Sequence, residues 1–261
     1  MKKTFQILIW VTVLSGISVI LGFALIDQKT HKCTDISVSL TDENPRGFIT
    51  SSEIEKLVYL KFDSVRGKLI DSLNIELIEM ELAQNPYIKS VNVYTTVHGK
   101  LSVEVEREEA LIRIINRKNQ SYYLSRSGRA LPVSRNYIPH VVVASGNIKE
   151  GYGKIKDQKI IGLTQETDKN PVLSKLFFLA GKLEGNHFLK NHIKQVYVNK
   201  KGEIELIPEN GKYIILLGDV DDLEIKFENL LAFYQAGMSK VGIENINVLN
   251  LKYKNQVVCK K

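Results

Sequence analysis

The sequence predicts an α+β protein in three parts: a single N-terminal transmembrane helix, a β-α-α-β-β module, and a mostly antiparallel β domain with flanking helices. Three observations carry this reading. Residues 5–26 form an apolar run without a charged side chain. Residues 35–107 set two stretches of three- and four-residue apolar spacing among stretches of strict alternation, the periods of helix and strand. From 110 to 261 the texture changes to short alternating stretches broken by turn residues.

The apolar run FQILIWVTVLSGISVILGFALI is interrupted only by Gln6, Thr12, Ser15 and Ser18 among polar side chains. At about 1.5 Å per residue it covers roughly 30 Å, the thickness of a bilayer's hydrocarbon core. A helix there satisfies its backbone internally. Lys2 and Lys3 lie in the short leading segment 1–4, so the positive-inside rule keeps that end cytoplasmic and the long following part is translocated, although Lys29 and Lys32 flank the other end. A cleaved signal peptide is the competing reading. It calls for a shorter apolar region, about 7–15 residues, ending at small side chains, whereas this run closes on Gly22-Phe23-Ala24-Leu25-Ile26.

Beyond the anchor remain roughly 230 residues, enough for two modest domains. With 44% hydrophobic and 25% charged residues they read as globular, without a disordered tract. The net charge of +7 would suit nucleic acid, but a domain held outside the cytoplasm meets acidic lipid headgroups or acidic protein segments instead. Between Ala110 and Lys149 there is no Asp or Glu, while Arg113, Arg117, Lys118, Arg126, Arg129, Arg135 and Lys149 fall there, a pattern that reads first as a solvated basic face. The two cysteines, Cys33 and Cys259, make no disulfide framework. An oxidising compartment permits them to pair, but nothing in the sequence brings the two ends together.

Within 35–107, Ile36, Val38 and Leu40 alternate with Ser37 and Ser39, a half-buried strand. Thr50-Ser51-Ser52-Glu53 fits a capping box opening a helix with Ile54, Leu57 and Val58 on its apolar face. A second helix starts near Asn74, carries Ile75, Ile78 and Leu82 on one stripe with Leu77 and Met80 beside it, and stops before Asn85-Pro86. Val91 and Val93, then Leu101, Val103 and Val105, alternate on either side of the bend His98-Gly99. A three-stranded sheet with two helices on one face buries these stripes in a single layer pair.

In 110–261 the expected elements are a hairpin around Ser125-Arg126-Ser127-Gly128, a strand Val141-Val142-Val143 and a helix from Val172 to Leu183. A second hairpin turns at Asn199-Lys200-Lys201-Gly202, and a strand runs from Tyr213 to Leu217. Asp219 to Asp222 then opens a helix, favoured by its dipole, with Leu223, Phe227, Leu230, Leu231 and Tyr234 inward and Gly237 at its end. The stretch from Ile246 to Val258 reads as one long strand or a pair.

No catalytic constellation emerges. The histidines His31, His98, His140, His187 and His192 are scattered, and no Cys or acidic pair has ligand spacing. Ser127-Gly128 lacks the flanks of a nucleophile elbow, Asp219, Asp221 and Asp222 read as a helix cap, and Gly151-Tyr152-Gly153 has no Lys-Ser/Thr after it. The expectation is therefore a non-enzyme without cofactor, metal or small-molecule substrate. The last stretch differs. Lys252, Tyr253, Lys254 and Lys260 fit an edge strand protected by charge yet open to one partner through strand addition, with Tyr253 suited to anchor an interface.

The order of parts resembles the bacterial cell-division family FtsQ/DivIB. The resemblance rests on Asn85-Pro86-Tyr87-Ile88-Lys89-Ser90-Val91-Asn92-Val93 with Leu101 to Glu108, on Tyr123-Leu124 to Gly128 followed by Leu131-Pro132-Val133, and on three C-terminal runs. Those runs are Leu216-Leu217-Gly218, Lys226-Phe227-Glu228-Asn229-Leu230 and Val248 to Val258. The sequence departs from the family pattern around Ser125, at Lys252 where an arginine is common, and at Glu108-Glu109-Ala110 where a proline is common, marking a divergent branch. The resemblance implies a POTRA-like domain at 35–107 and an FtsQ/DivIB-type β domain at 110–261. It also implies a noncatalytic scaffold of the divisome in the inner membrane at the septum, contacting FtsB/FtsL-type single-span proteins and linking them to septal peptidoglycan synthesis. Leu249, Leu251, Lys252, Tyr253, Lys254, Asn255, Gln256 and Val257 are the residues it points to for partner binding. The runner-up is a membrane-anchored POTRA-type accessory of protein transport or secretion, and an anchored cell-wall hydrolase would need a convergent acid/base or metal site.

Overall fold

A computed structural model describes residues 10–19, 32–42, 44–62, 65–96, 98–160, 170–237 and 246–260. Of the apolar run 5–26, residues 10–19 are described; they are helical and exposed, and the rest of the expected span lies outside the described residues. Among the described residues no helix is long and apolar enough to cross a membrane. The chain divides into two compact units, Met1–Arg107 and Glu108–Lys261, and its architecture is α+β.

In the first unit three strands, β1 (Asp35–Leu40), β2 (Ile88–Thr95) and β3 (Lys100–Arg107), form a sheet in the order β1-β3-β2. β1 runs parallel to β3 with Ile36, Val38 and Leu40 beside Leu101, Val103 and Val105. β2 runs antiparallel to β3, so Val91 and Val93 face Val105 and Val103. That register places the apolar set of every strand on one face, where a one-residue slip would turn it to water. The face is covered by α1 (Ser51–Lys61), which buries Ile54 and Val58, and α2 (Ile75–Ala83), which buries Ile78 and Leu82. Leu77 and Met80 of α2 point away and stay exposed.

The caps follow from local chemistry. Thr50 and Glu53 form the reciprocal capping box of α1, and the Asn74 side chain accepts from the Leu77 amide to open α2. On the open face of the sheet the polar alternates pair with each other: Glu106 accepts from Lys89 at 2.6 Å and Ser90 at 3.0 Å, and Glu104 accepts from Tyr94 at 2.7 Å. At the β2 edge the Glu79 carboxylate accepts the Val93 amide hydrogen at 2.7 Å, so part of that edge is already capped.

A buried charge closes β3. Arg107 and Asp42, with side chains 4% and 10% exposed, form a forked pair. Arg107 Nε donates to Asp42 at 2.8 Å and Nη1 to the Ile49 carbonyl at 3.1 Å, while Nη2 donates to Asp42 and to the Asn44 carbonyl. A β-carbon at Gly47 would fall 2.4 Å from Arg107 Nη1, so the absence of a side chain there makes room for the guanidinium.

The second unit is built on one sheet of nine strands among the described residues. β4 (Ala110–Ile115), β5 (Ser121–Ser125), β6 (Ala130–Pro132), β7 (Val142–Gly146), β8 (Ile193–Val198) and β9 (Ile204–Pro208) are followed by β10 (Ile214–Gly218), β11 (Val248–Asn250) and β12 (Val258–Lys260). Their order is β12-β11-β10-β9-β8-β7-β4-β5-β6. β4·β7, β7·β8 and β10·β11 are parallel and the other neighbours antiparallel. Two of the parallel neighbours are joined through helices, the connection such a pair requires: α4 (Pro171–Glu184) and α5 (His187–His192) lie between β7 and β8, and α6 (Leu223–Ala232) between β10 and β11.

Ile112, Ile114, Tyr122, Leu124, Ala144, Val196, Leu206, Ile215 and Leu249 alternate onto one face of this sheet. Leu173, Leu176, Leu179 and Leu183 of α4 and Leu223, Phe227 and Leu230 of α6 share the same core. The Asp219–Asp222 segment behaves differently from a simple cap. Asp222 is the N-cap of α6 in the left-handed conformation without a side-chain cap bond, and Asp219 binds Lys175 at 2.6 Å. α6 then widens into a π turn over Phe233–Gly237.

The basic stretch 110–149 is partly neutralised by acidic groups outside it. Arg126 pairs with Glu109 at 3.0 Å and Glu184 at 2.7 Å, and Arg129 lies 3.8 Å from the buried Glu108, which also accepts from Ser127 at 2.7 Å.

Candidate functional site: the C-terminal sheet edge

The stretch expected as one long strand or a pair folds as a pair of short strands around a turn. β11 pairs parallel to β10, with Ile215 beside Leu249, and β12 returns antiparallel, with Leu249 beside Cys259. Between them the chain bends at 253–255, and Asn255 takes φ 58°, the left-handed region that asparagine tolerates better than most residues. Lys252, Tyr253 and Lys254 therefore lie in the connection rather than in a strand, and Lys260 is on β12.

β12 is the terminal strand of the sheet, three residues long, and its outer side faces no other strand among the described residues. At the opposite end β6 carries Pro132, and Arg129 just before it makes an isolated bridge to Lys159. A proline cannot donate to an added strand, so the two ends of the sheet differ in what they can accept.

The eight residues singled out from the sequence fall into three groups. Leu249 and Leu251 are 0% and 2% exposed and point into the core; the Leu251 amide donates to the Leu216 carbonyl at 2.9 Å. Val257 is half-buried and packs on the same core. Lys252, Tyr253, Lys254, Asn255 and Gln256 are exposed and cluster on the turn, with Tyr253 at 53%.

Lys252 is fixed at both ends. Its stem lies over Gly218, where a β-carbon would meet Lys252 Cγ at 3.0 Å, and its ammonium binds Glu203 Oε1 at 2.6 Å. Lys252, and next the Asn199 amide, hold the Glu203 carboxyl below the usual carboxylate range. Gly218 has φ +79°, which a side chain would strain. Beside this turn lies a groove of about 400 Å³ between the 252–255 connection and the start of α6, with Asp221, Asp222, Ile225 and Asn229 on the helix side. Exposed Tyr253 and mixed charge thus stand around a shallow groove, a combination of side chains that protein-recognition surfaces use.

The fold also assembles groups that sequence spacing could not. His192 Nε2 lies 2.9 Å from the Tyr234 hydroxyl and 3.2 Å from that of Tyr213, with the hydroxyls 2.7 Å apart. Burial pushes the His192 imidazole below its ordinary value and the Tyr234 phenol well above its own. Their positions, 21 and 42 residues from His192, leave no local signal. Among the described residues no group of three or more His, Cys, Asp or Glu could hold a metal ion, and both thiols, Cys33 and Cys259, are free.

Comparison with known families adds two matches. Residues 31–106 match a POTRA-like domain, and residues 109–260 match the model described as FtsQ/DivIB, C-terminal related. No curated protein matches the chain. The second match spans more than half of the 261 residues and takes in the nine-stranded sheet with its C-terminal edge: the chain belongs to the FtsQ/DivIB family.

Proposed function

We propose that this protein is a noncatalytic, single-pass inner-membrane scaffold of the bacterial divisome, anchored through residues 5–26 with its N-terminus cytoplasmic and residues 27–261 periplasmic. It binds FtsB/FtsL-type single-span partners by strand addition at β12, with the exposed turn 252–256 supplying side-chain contacts, and links them to septal peptidoglycan synthesis. The observation that carries this reading is the open terminal strand β12 beside exposed Tyr253 in an FtsQ/DivIB-related domain. The groove next to the turn supports it, since a partner leaving the edge would find an adjoining recess.

The test is a titration of the full chain in nanodiscs with the periplasmic part of the same organism's FtsB–FtsL pair, beside Tyr253→Ala and a deletion of 258–261. Saturable binding that weakens at least about tenfold in Tyr253→Ala and disappears in the deletion supports the reading, the size being that of an aromatic anchor. Absence of binding by the folded chain overturns it, and the POTRA-like match would then direct the search to secretion clients.

A further inference from the structure

At one end of the first unit, the chain that follows the apolar run is sewn to two loops. The Cys33 amide donates to the Lys68 carbonyl at 2.8 Å, the Gly67 amide to the Cys33 carbonyl at 2.7 Å and the Thr34 amide to the Gly99 carbonyl at 2.8 Å. Lys32 forms an isolated bridge with Leu69, and Gly99 lies so close that a β-carbon would meet the Lys32 carbonyl oxygen at 2.9 Å. The result is a small surface carrying Leu69, 46% exposed, with exposed Lys32 bridged to it and Lys68 next to it in the chain, while exposed His98 and Lys100 flank the Gly99 that packs on Lys32. Of the neighbouring acids, Asp35 is bound by Arg66, leaving Asp71 as the acid closest to Leu69 along the chain.

We infer that this end of the first unit is a docking surface for the anionic phospholipid headgroups of the membrane that anchors the chain. The inference rests on the anchoring of residues 5–26 proposed above. Residues 27–32 span at most about 20 Å when fully extended, so the anchor keeps this surface within about 20 Å of its own end and close to the headgroup layer. An excess of lysines complements a negative surface, and an exposed leucine among them suits the boundary where headgroups meet acyl chains. Docking there would set the orientation of the first unit against the bilayer instead of leaving it on a free tether.

The experiment uses the full chain reconstituted into vesicles of phosphatidylcholine alone or mixed with phosphatidylglycerol, with brominated acyl chains as quencher. The single tryptophan, Trp10, lies within the proposed anchor and reports on it separately. In a Trp10→Phe background, Leu69→Trp should emit further to the blue and be quenched at least about twofold more in the anionic vesicles than in the neutral ones, an effect that salt and the triple variant Lys32→Gln/Lys68→Gln/Lys100→Gln remove. Native Trp10 quenched equally in both vesicles, with the reporter at 69 indifferent to lipid charge, overturns the docking surface and leaves the anchor standing. Trp10 unquenched overturns both. Hydrogen exchange of the 65–70 loop with native Leu69 gives an arm independent of the tryptophan: protection in anionic vesicles alone supports the surface, and equal exchange in both refutes it.

Discussion

Arg107 is the residue on which the first unit should depend most steeply. Truncating it to alanine removes every donor of the fork and leaves the Asp42 carboxylate, 10% exposed, and the Ile49 and Asn44 carbonyls facing a void. Breaking a buried ion pair from one side costs about 3–5 kcal/mol, because the orphaned charge has lost its solvent without keeping its partner. That is a large share of the roughly 5–15 kcal/mol that holds a domain together, and in a unit of this size it lowers the melting temperature by at least about 12 °C. Arg107→Lys should recover little, since an ammonium cannot reach Asp42 and two carbonyls in one plane. The double variant Arg107→Met/Asp42→Leu, which removes both charges, should lose less than Arg107→Ala alone. The pH dependence has a definite sign: Arg107 holds the Asp42 carboxyl below its ordinary value, so the stabilisation is full above about pH 4 and fades as pH falls through the lowered value. Native-state hydrogen exchange read on β1 and β3 peptides of the full chain localises the effect. A fall in opening free energy below about 1 kcal/mol for Arg107→Ala, or a double variant worse than the single, would refute the reasoning.

Three further outcomes are expected. Thr50→Ala removes one half of the α1 capping box and should cost about 1 kcal/mol, read from the same exchange experiment on α1 peptides. Gly128→Ala combines φ +84° with a β-carbon 2.0 Å from the Ile160 carbonyl oxygen, so it should destabilise the second unit by at least about 2 kcal/mol in urea unfolding. Because burial lowers the His192 value in the folded state, the unfolded chain binds the extra proton below about pH 6.5, and stability should fall with pH there. A proton-NMR titration should place His192 below the ordinary imidazole value, and His192→Phe should flatten that part of the stability profile.

Much of the fold was legible because its signals are local. Thr50 with Glu53, and Asn74 with Pro86, mark helix ends through side chains within a few residues of the backbone groups they serve. The C-terminal edge was less legible. Alternation continues from Ile246 through Leu251 and resumes at Val257, and the turn between has neither glycine nor proline; Asn255, at φ 58°, is the sole residue there with a turn preference. That Leu249 and Leu251 face the core, rather than a partner, follows from the pairing of β11 with β10, a contact across more than 30 residues that no window of sequence contains. The Lys252–Glu203 pair and the His192–Tyr213–Tyr234 cluster are non-local in the same sense. Arg107 was visible in sequence as part of a recognisable run, but its forked pair with Asp42, 65 residues away, was not.

The shortness of β12 sets a ceiling on promiscuity. Three residues offer a guest strand only a few main-chain hydrogen bonds, each worth about 0.5–1.5 kcal/mol net, so backbone pairing alone yields roughly 2–4 kcal/mol, well short of the 8 kcal/mol of a micromolar complex. A passing unfolded segment, which brings backbone but no fitted side chains, would leave as soon as it arrived. Under the proposed strand addition, residence would be reserved for a segment that lies along the edge and fills the neighbouring recess at once, so an edge this short would act as a filter on its company.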